Sequence, residues 1–114
     1  MSAASDQVLV EIPWAINPFR GDAFEAAWTP VAEAALDFGA TWWALYRSTD
    51  GSLDFRQLAI FPSKAHFERY WYSEELSAAR IDIAGYFQVP LLPTFHTVAG
   101  MGFLDPAAVS AAAQ

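Results

Sequence analysis

The dipeptide Asp50-Gly51 constrains this chain more than any other feature, because it stands between two runs dominated by aromatic and aliphatic residues. A two-residue hairpin turn needs positive φ at its centre, which Asp-Gly adopts readily. Positions 41–61 therefore read as a β-hairpin. Counting outward from the turn sets Arg47 across from Asp54, Tyr46 across from Phe55, Trp43 across from Leu58 and Trp42 across from Ala59. The Arg47 and Asp54 pairing is a favourable cross-strand contact of opposite charges. In that register one face carries Trp42, Ala44, Tyr46, Phe55, Ala59 and Phe61, and the other Trp43, Leu45, Leu58 and Ile60. An antiparallel sheet with helices on one side normally turns a polar face to water. Here both faces are apolar, so the second needs a cover, and the sheet of another copy is the simplest.

The flanking segments supply the rest of a fold. At positions 7–16 the residues Val8, Val10, Ile12, Trp14 and Ile16 recur at every second place, with Glu11 and Pro13 between them, which is the period of a strand. Asn17-Pro18 breaks that pattern, and Asp22 followed by Glu25 makes a capping-box start for a helix. Phe24, Ala27, Trp28, Val31, Ala35 and Phe38 line one side of it, and Gly39 is suited to end it. Pro30 inside that run, with Thr29 before it, predicts a kink or a restart.

Phe61-Pro62-Ser63 closes the hairpin and offers Ser63 as the N-cap of a second helix, where Phe67, Tyr70, Trp71 and Glu74 share a side. Ser73 before Glu74 and Glu75 predicts a second cap and a break near Tyr72. Positions 80–93 stay open, since the early part can continue as helix while Pro90 and Pro93 forbid a regular end. A last strand is predicted over 94–101. The order strand, helix, strand, strand, helix, strand gives, with right-handed crossovers, a four-stranded antiparallel sheet with two helices on one face, the ferredoxin-like α+β fold. The expected division is a disordered stretch over 1–6, one domain over 7–104, and an Ala-rich tail over 105–114, frayed or forming a short docking helix.

Composition decides what such a domain meets. Five Trp, four Tyr and nine Phe in 114 residues exceed what a monomer of this size buries, so a partner surface or an apolar pocket takes the excess. Thirteen Asp plus Glu against six Lys plus Arg, net −7, oppose binding to nucleic acid or to an anionic membrane surface. No cysteine is present, which excludes disulfides, thiolate metal sites and cysteine nucleophiles. The first residues lack the basic and apolar regions of a signal peptide, and no apolar run is long enough to span a bilayer, so the expected location is the cytoplasm.

The element order, the doubly apolar hairpin and the aromatic load together resemble the dimeric α+β barrel superfamily, and within it the antibiotic biosynthesis monooxygenase family. The resemblance is most specific from Phe61-Pro62-Ser63 through Phe67 and Tyr70 to Ser73-Glu74-Glu75. Many members carry there a Trp, a Ser, an aromatic residue, a His and a second Ser; Tyr70 stands here at the His position and Phe61 at the strand-end Trp. The resemblance implies a homodimer with two sheets face to face, and a cavity between each sheet and its helices. It also implies one of several functions. The first is an enzyme acting on a planar aromatic or polyketide-like substrate, by cofactor-free monooxygenation or by acid/base cyclisation or isomerisation. The second is a non-catalytic dimeric protein that binds a small apolar ligand or serves regulation or stress. The third is a haem-binding or haem-degrading protein, for which one axial His suffices.

Candidate catalytic residues are few. Tyr70 occupies the family's His position, and its phenol can donate or accept a proton; ordinary helix packing beside Phe67 and Trp71 is the plain alternative. His66 opens a helix, where the dipole disfavours the imidazolium, and reads either as a surface residue or local hydrogen-bonding group or as a catalytic residue. His96, alternating with Thr94 and Val98, faces the cavity or the dimer sheet. Two histidines without a carboxylate at ligand spacing do not make a metal site. Trp42, Tyr46, Trp71 and Tyr86 form either an aromatic slot for a planar ligand or plain core. Asn17 can polarise a bound carbonyl or simply form a turn before Pro18. Arg56 either holds an anionic substrate or pairs with an acid across the interface.

Overall fold

The structure, a computed structural model, describes residues 7–51 and 53–104. Four strands, β1 (Val8–Ala15), β2 (Trp42–Arg47), β3 (Asp54–Phe61) and β4 (Thr94–Thr97), form one antiparallel sheet in the order β2-β3-β1-β4. Helices α1 (Gly21–Glu33), α2 (Lys64–Trp71) and α3 (Glu74–Asp82) connect them on one face. This is the ferredoxin-like arrangement. The Ala-rich tail and the first six residues lie outside the described part, and no helix among the described residues is long and apolar enough to cross a membrane.

Local signals explain most of the elements. Val10, Ile12, Trp14 and Ile16 are buried on the helix side of β1, as their alternation requires. Phe24, Trp28 and Ala32 descend one stripe of α1 at four-residue intervals and are fully buried, whereas Ala27 falls outside it. Gly39 takes φ +96 after a 3₁₀ turn over Ala34–Phe38, a left-handed cap that a glycine allows without strain. Ser63 and Ser73 accept hydrogen bonds from the amides of His66 and Leu76, so the second helical segment is cut in two at Tyr72 as predicted.

Four expectations need correction. Asp22 and Glu25 do not form a capping box: α1 starts at Gly21 without a side-chain cap, and both carboxylates instead reach Arg47, at 2.8 and 3.0 Å. Of the kink or restart expected at Pro30, the restart does not occur. Pro30 sits inside α1, and the Thr29 hydroxyl donates back to the Glu25 carbonyl. The last strand ends at Thr97 rather than near position 101.

The hairpin register differs by one residue from the count based on a two-residue turn, and this correction matters most. Arg47 pairs with Phe55, Tyr46 with Arg56, Trp43 with Ala59 and Trp42 with Ile60. The connection is longer than two residues because Ser48 N–H donates to the Asp54 carbonyl, while the Leu53 carbonyl accepts from Ile16 N–H and belongs to the β1 side. A one-residue slip sends every side chain of one strand to the opposite face. Trp43, Leu45 and Arg47 therefore join Phe55, Gln57, Ala59 and Phe61 on the helix side, and Trp42, Ala44 and Tyr46 join Arg56, Leu58 and Ile60 on the open side. Among the described residues no helix lies on the open side; only the segment 97–103 adjoins it, beside Leu9, Trp42 and Ile60.

Candidate functional site

The interior between helices and sheet is organised around Gln57, the one buried polar residue of the described core. Its Oε1 accepts from the indole N–H groups of Trp14 at 3.1 Å and Trp28 at 2.9 Å. Its Nε2 donates to the Tyr70 hydroxyl at 3.0 Å, which donates onward to the Val31 carbonyl at 2.7 Å. Indoles can only donate, so the amide orientation is fixed by chemistry, and every polar atom in the chain of contacts is satisfied. Around this hub the rings are close-packed. Trp14 lies 5.0 Å from Phe24, 4.8 Å from Trp28 and 5.1 Å from Phe87, centroid to centroid. Burial pushes the Tyr70 phenol far above its ordinary range, against the opposing hydrogen bond from Gln57.

The predicted site residues therefore separate. Tyr70 is buried in the hub with its hydroxyl committed in both directions. Trp71 packs on Phe67 and under the Arg80 guanidinium, 4.3 Å from the ring centroid, and loss of hydration lowers the Arg80 pKa. His66 holds its Nδ1 2.7 Å from the Ser63 hydroxyl, a contact within the helix cap. Asn17 donates to the Gly85 carbonyl, and Tyr86 lies beside Arg20, both where the chain returns from α3 to the sheet. The four aromatics proposed as a single slot are thus not together: Trp42 and Tyr46 stand on the open sheet face, Trp71 in the helix layer and Tyr86 in the return segment.

The open face gathers the others. Glu11, on a central strand, lies 3.5 Å from Arg56 Nε and 3.3 Å from His96 Nε2. Arg56 pairs with an acid, as expected, but with one in its own chain. Beside this trio, at the end of the face where β1 begins, Leu9, Trp42 and Ile60 floor a groove of about 720 Å³ walled by Thr41 and residues 97–103. Its lining is apolar, and its size falls in the range of small-molecule sites. A carboxylate-oriented imidazole next to an apolar groove can bind a ligand or move a proton. Neither histidine lines the groove, so the residues present do not fit axial ligation of a haem there. Among the described residues no three His, Asp or Glu side chains converge as a metal site.

Gln57 and Glu11 were not among the residues singled out from sequence. A signal for Gln57 existed, since it is a lone amide among Phe55, Ala59 and Phe61, three residues that share its strand face.

No family profile matches the sequence, and no curated protein matches it. Solved structures do. A protein taken to be an antibiotic biosynthesis monooxygenase, from Nitrosomonas europaea, superposes with a TM-score of 0.75 at 12% identity, covering 86% of this chain and 96% of the other. SnoaB, a cofactor-independent oxygenase from Streptomyces nogalater, gives 0.72 at 13% identity over 84% and 96%. Rv0793 from Mycobacterium tuberculosis gives 0.68 at 18% identity over 90% and 99%. At such identities the likeness is one of architecture, and in architecture this chain has the ferredoxin-like α+β fold of the antibiotic biosynthesis monooxygenase-like proteins.

Proposed function

We propose that this chain is a homodimeric small-ligand-binding protein that takes a planar, apolar ligand on its open sheet face, and that the space between helices and sheet is structural. The observation that carries this reading is the Gln57 hub. Two indoles, a phenol and an amide occupy the space where the fold resemblance implies a substrate cavity, and their polar atoms are committed to one another and to the Val31 carbonyl rather than to a substrate. The groove beside Trp42 has the aromatic wall and apolar floor that a planar ligand needs.

N-phenyl-1-naphthylamine, a neutral planar dye, tests this. The expected result is saturable binding that weakens about fivefold or more in Trp42→Ala, the loss of one aromatic contact, and stays unchanged in Tyr70→Phe. Equal binding by wild type and Trp42→Ala, or loss in Tyr70→Phe, sinks the reading.

The Glu11–His96 contact at 3.3 Å favours a second reading, in which His96 is a general base for cofactor-free oxygenation, cyclisation or isomerisation of a ligand beside the groove. SnoaB, with the same fold, is a cofactor-independent oxygenase. Oxygen uptake with anthrone, compared between wild type and His96→Asn, tests it. Equal rates remove His96 from any mechanism.

A further inference from the structure

A second groove lies on the helix side, at the edge of the sheet and away from the open face. β4 is the strand at that edge, and its Phe95, the partner of Val10, packs against α2 through Phe67. Between α2 and the segment 91–93 that leads into β4 is a groove of about 340 Å³, a size within the range of small-molecule sites. Its wall is a chain of rings in contact. Phe95 lies 5.4 Å from Phe67, edge-on, and Phe67 lies 5.8 Å from Trp71, stacked, centroid to centroid. Its lip is bare, with Tyr72 72% and Leu92 63% exposed. A flat molecule laid against these rings would cover hydrocarbon that otherwise meets water.

The charges around the rings say what else that molecule carries. In a chain of net charge −7, a cation stands at each end of the ring chain: Lys64 Nζ lies 4.8 Å from the Phe95 centroid, and the Arg80 guanidinium 4.3 Å from that of Trp71. Neither makes an ion pair among the described residues, and Arg80 Nη1 is buried there without an acceptor. The position of Lys64 is informative. Glu68 stands four residues on along α2 and borders the same groove, but Lys before Glu is the weaker order for such a pair, and the ammonium lies over Phe95 instead. An ammonium has three donors, which a ring face does not satisfy and a carboxylate does.

We propose that this groove is a second binding site, for a small planar aromatic acid. The ring body lies along Phe95, Phe67 and Trp71, the carboxylate accepts from the Lys64 ammonium, and Arg80 adds positive charge at the far end of the rings. Glu68, the one acid in the groove lining, opposes the anion and limits its affinity. The site is separate from the groove beside Trp42 and does not depend on it.

2-Naphthoate and 2-naphthamide share one ring system and differ in charge, so comparing them isolates the carboxylate. Each is titrated calorimetrically into the full-length protein at low salt. Wild type is expected to bind the naphthoate about fivefold more tightly than the amide, the upper end of what one exposed charge pair supplies. That preference should vanish in Lys64→Met, which keeps the length of an exposed side chain, and persist in Lys64→Arg, which keeps its charge. It should rise in Glu68→Gln and stay unchanged in Trp42→Ala, which alters only the other groove. No preference in wild type, an equal preference in Lys64→Met, or its loss in Lys64→Arg overturns the inference. So does its loss in Trp42→Ala, because the acid then sits on the open face.

Discussion

Replacing Gln57 by Leu isolates the energetics of the buried hub. The two side chains are close in volume, so the substitution leaves no large cavity. What it removes is the acceptor for the indole N–H groups of Trp14 and Trp28 and the donor to the Tyr70 hydroxyl. The Tyr70 hydroxyl keeps its bond to the Val31 carbonyl, so its loss is minor. Each buried indole donor left without a partner costs about 1–3 kcal/mol, and two of them cost about 2–6 kcal/mol. That is a large share of the roughly 5–15 kcal/mol that holds a domain of this kind folded. Urea unfolding followed by tryptophan fluorescence, at one fixed protein concentration because association adds to apparent stability, measures the loss. A second substitution sharpens the test. Trp28→Phe alone breaks one hydrogen bond, but in the Gln57→Leu background it removes an orphaned donor, so the double variant is expected to lose less than the sum by about 1–2 kcal/mol. Additive losses, or a Gln57→Leu protein within about 0.5 kcal/mol of wild type, the range of an indifferent surface change, would refute the reasoning.

Alkaline pH probes the same hub from the Tyr70 side. Its folded pKa lies above the unfolded value of 10.0, so the stabilisation is fully present below pH 10 and fades as pH rises beyond it; the urea midpoint should fall above pH 10 less steeply in Tyr70→Phe than in wild type. Ser63→Ala and Ser73→Ala each delete a helix N-cap whose hydroxyl has a second partner, His66 Nδ1 and the Tyr70 carbonyl respectively, and should each lower stability by about 1 kcal/mol in thermal melts. Phe19 is fully exposed and held at φ +67, so Phe19→Gly should relieve backbone strain without losing a contact and raise stability by about 0.5–1 kcal/mol; a lower melting temperature would show that Phe19 makes an interaction this geometry lacks.

Much of the architecture was legible because it is written in local chemistry. The alternation of β1, the stripe of α1, the left-handed Gly39 and the serines that cut the second helical segment each act within a few residues of themselves. The parity of the hairpin was not local. It depends on Leu53 pairing with Ile16 and on Arg47 being drawn to Asp22 and Glu25, partners 25 and 22 residues away. One residue of slip reassigned Trp42 and Tyr46 from a supposed interior slot to the open face, while Gln57 keeps the face of Phe55, Ala59 and Phe61 in either register. The site followed the parity. Tyr70 was chosen by its place in a family pattern, yet its surroundings come from β1, α1 and β3, and no reading of its own helix could supply them.

The Glu11, Arg56 and His96 trio has a consequence for association of any kind. It sits on the middle of a face that also carries Leu9, Trp42, Ala44, Tyr46, Leu58 and Ile60. A surface of that composition, left uninterrupted, would adhere to any other apolar surface. With three ionisable groups near its centre, a partner that offers only hydrocarbon must strip their water and return nothing, a cost of several kcal/mol per uncompensated charge. The trio thus works as a filter on shape and polarity, passing surfaces that answer it with hydrogen bonds or leave room for water, and turning away the indiscriminate contacts that lead to aggregates.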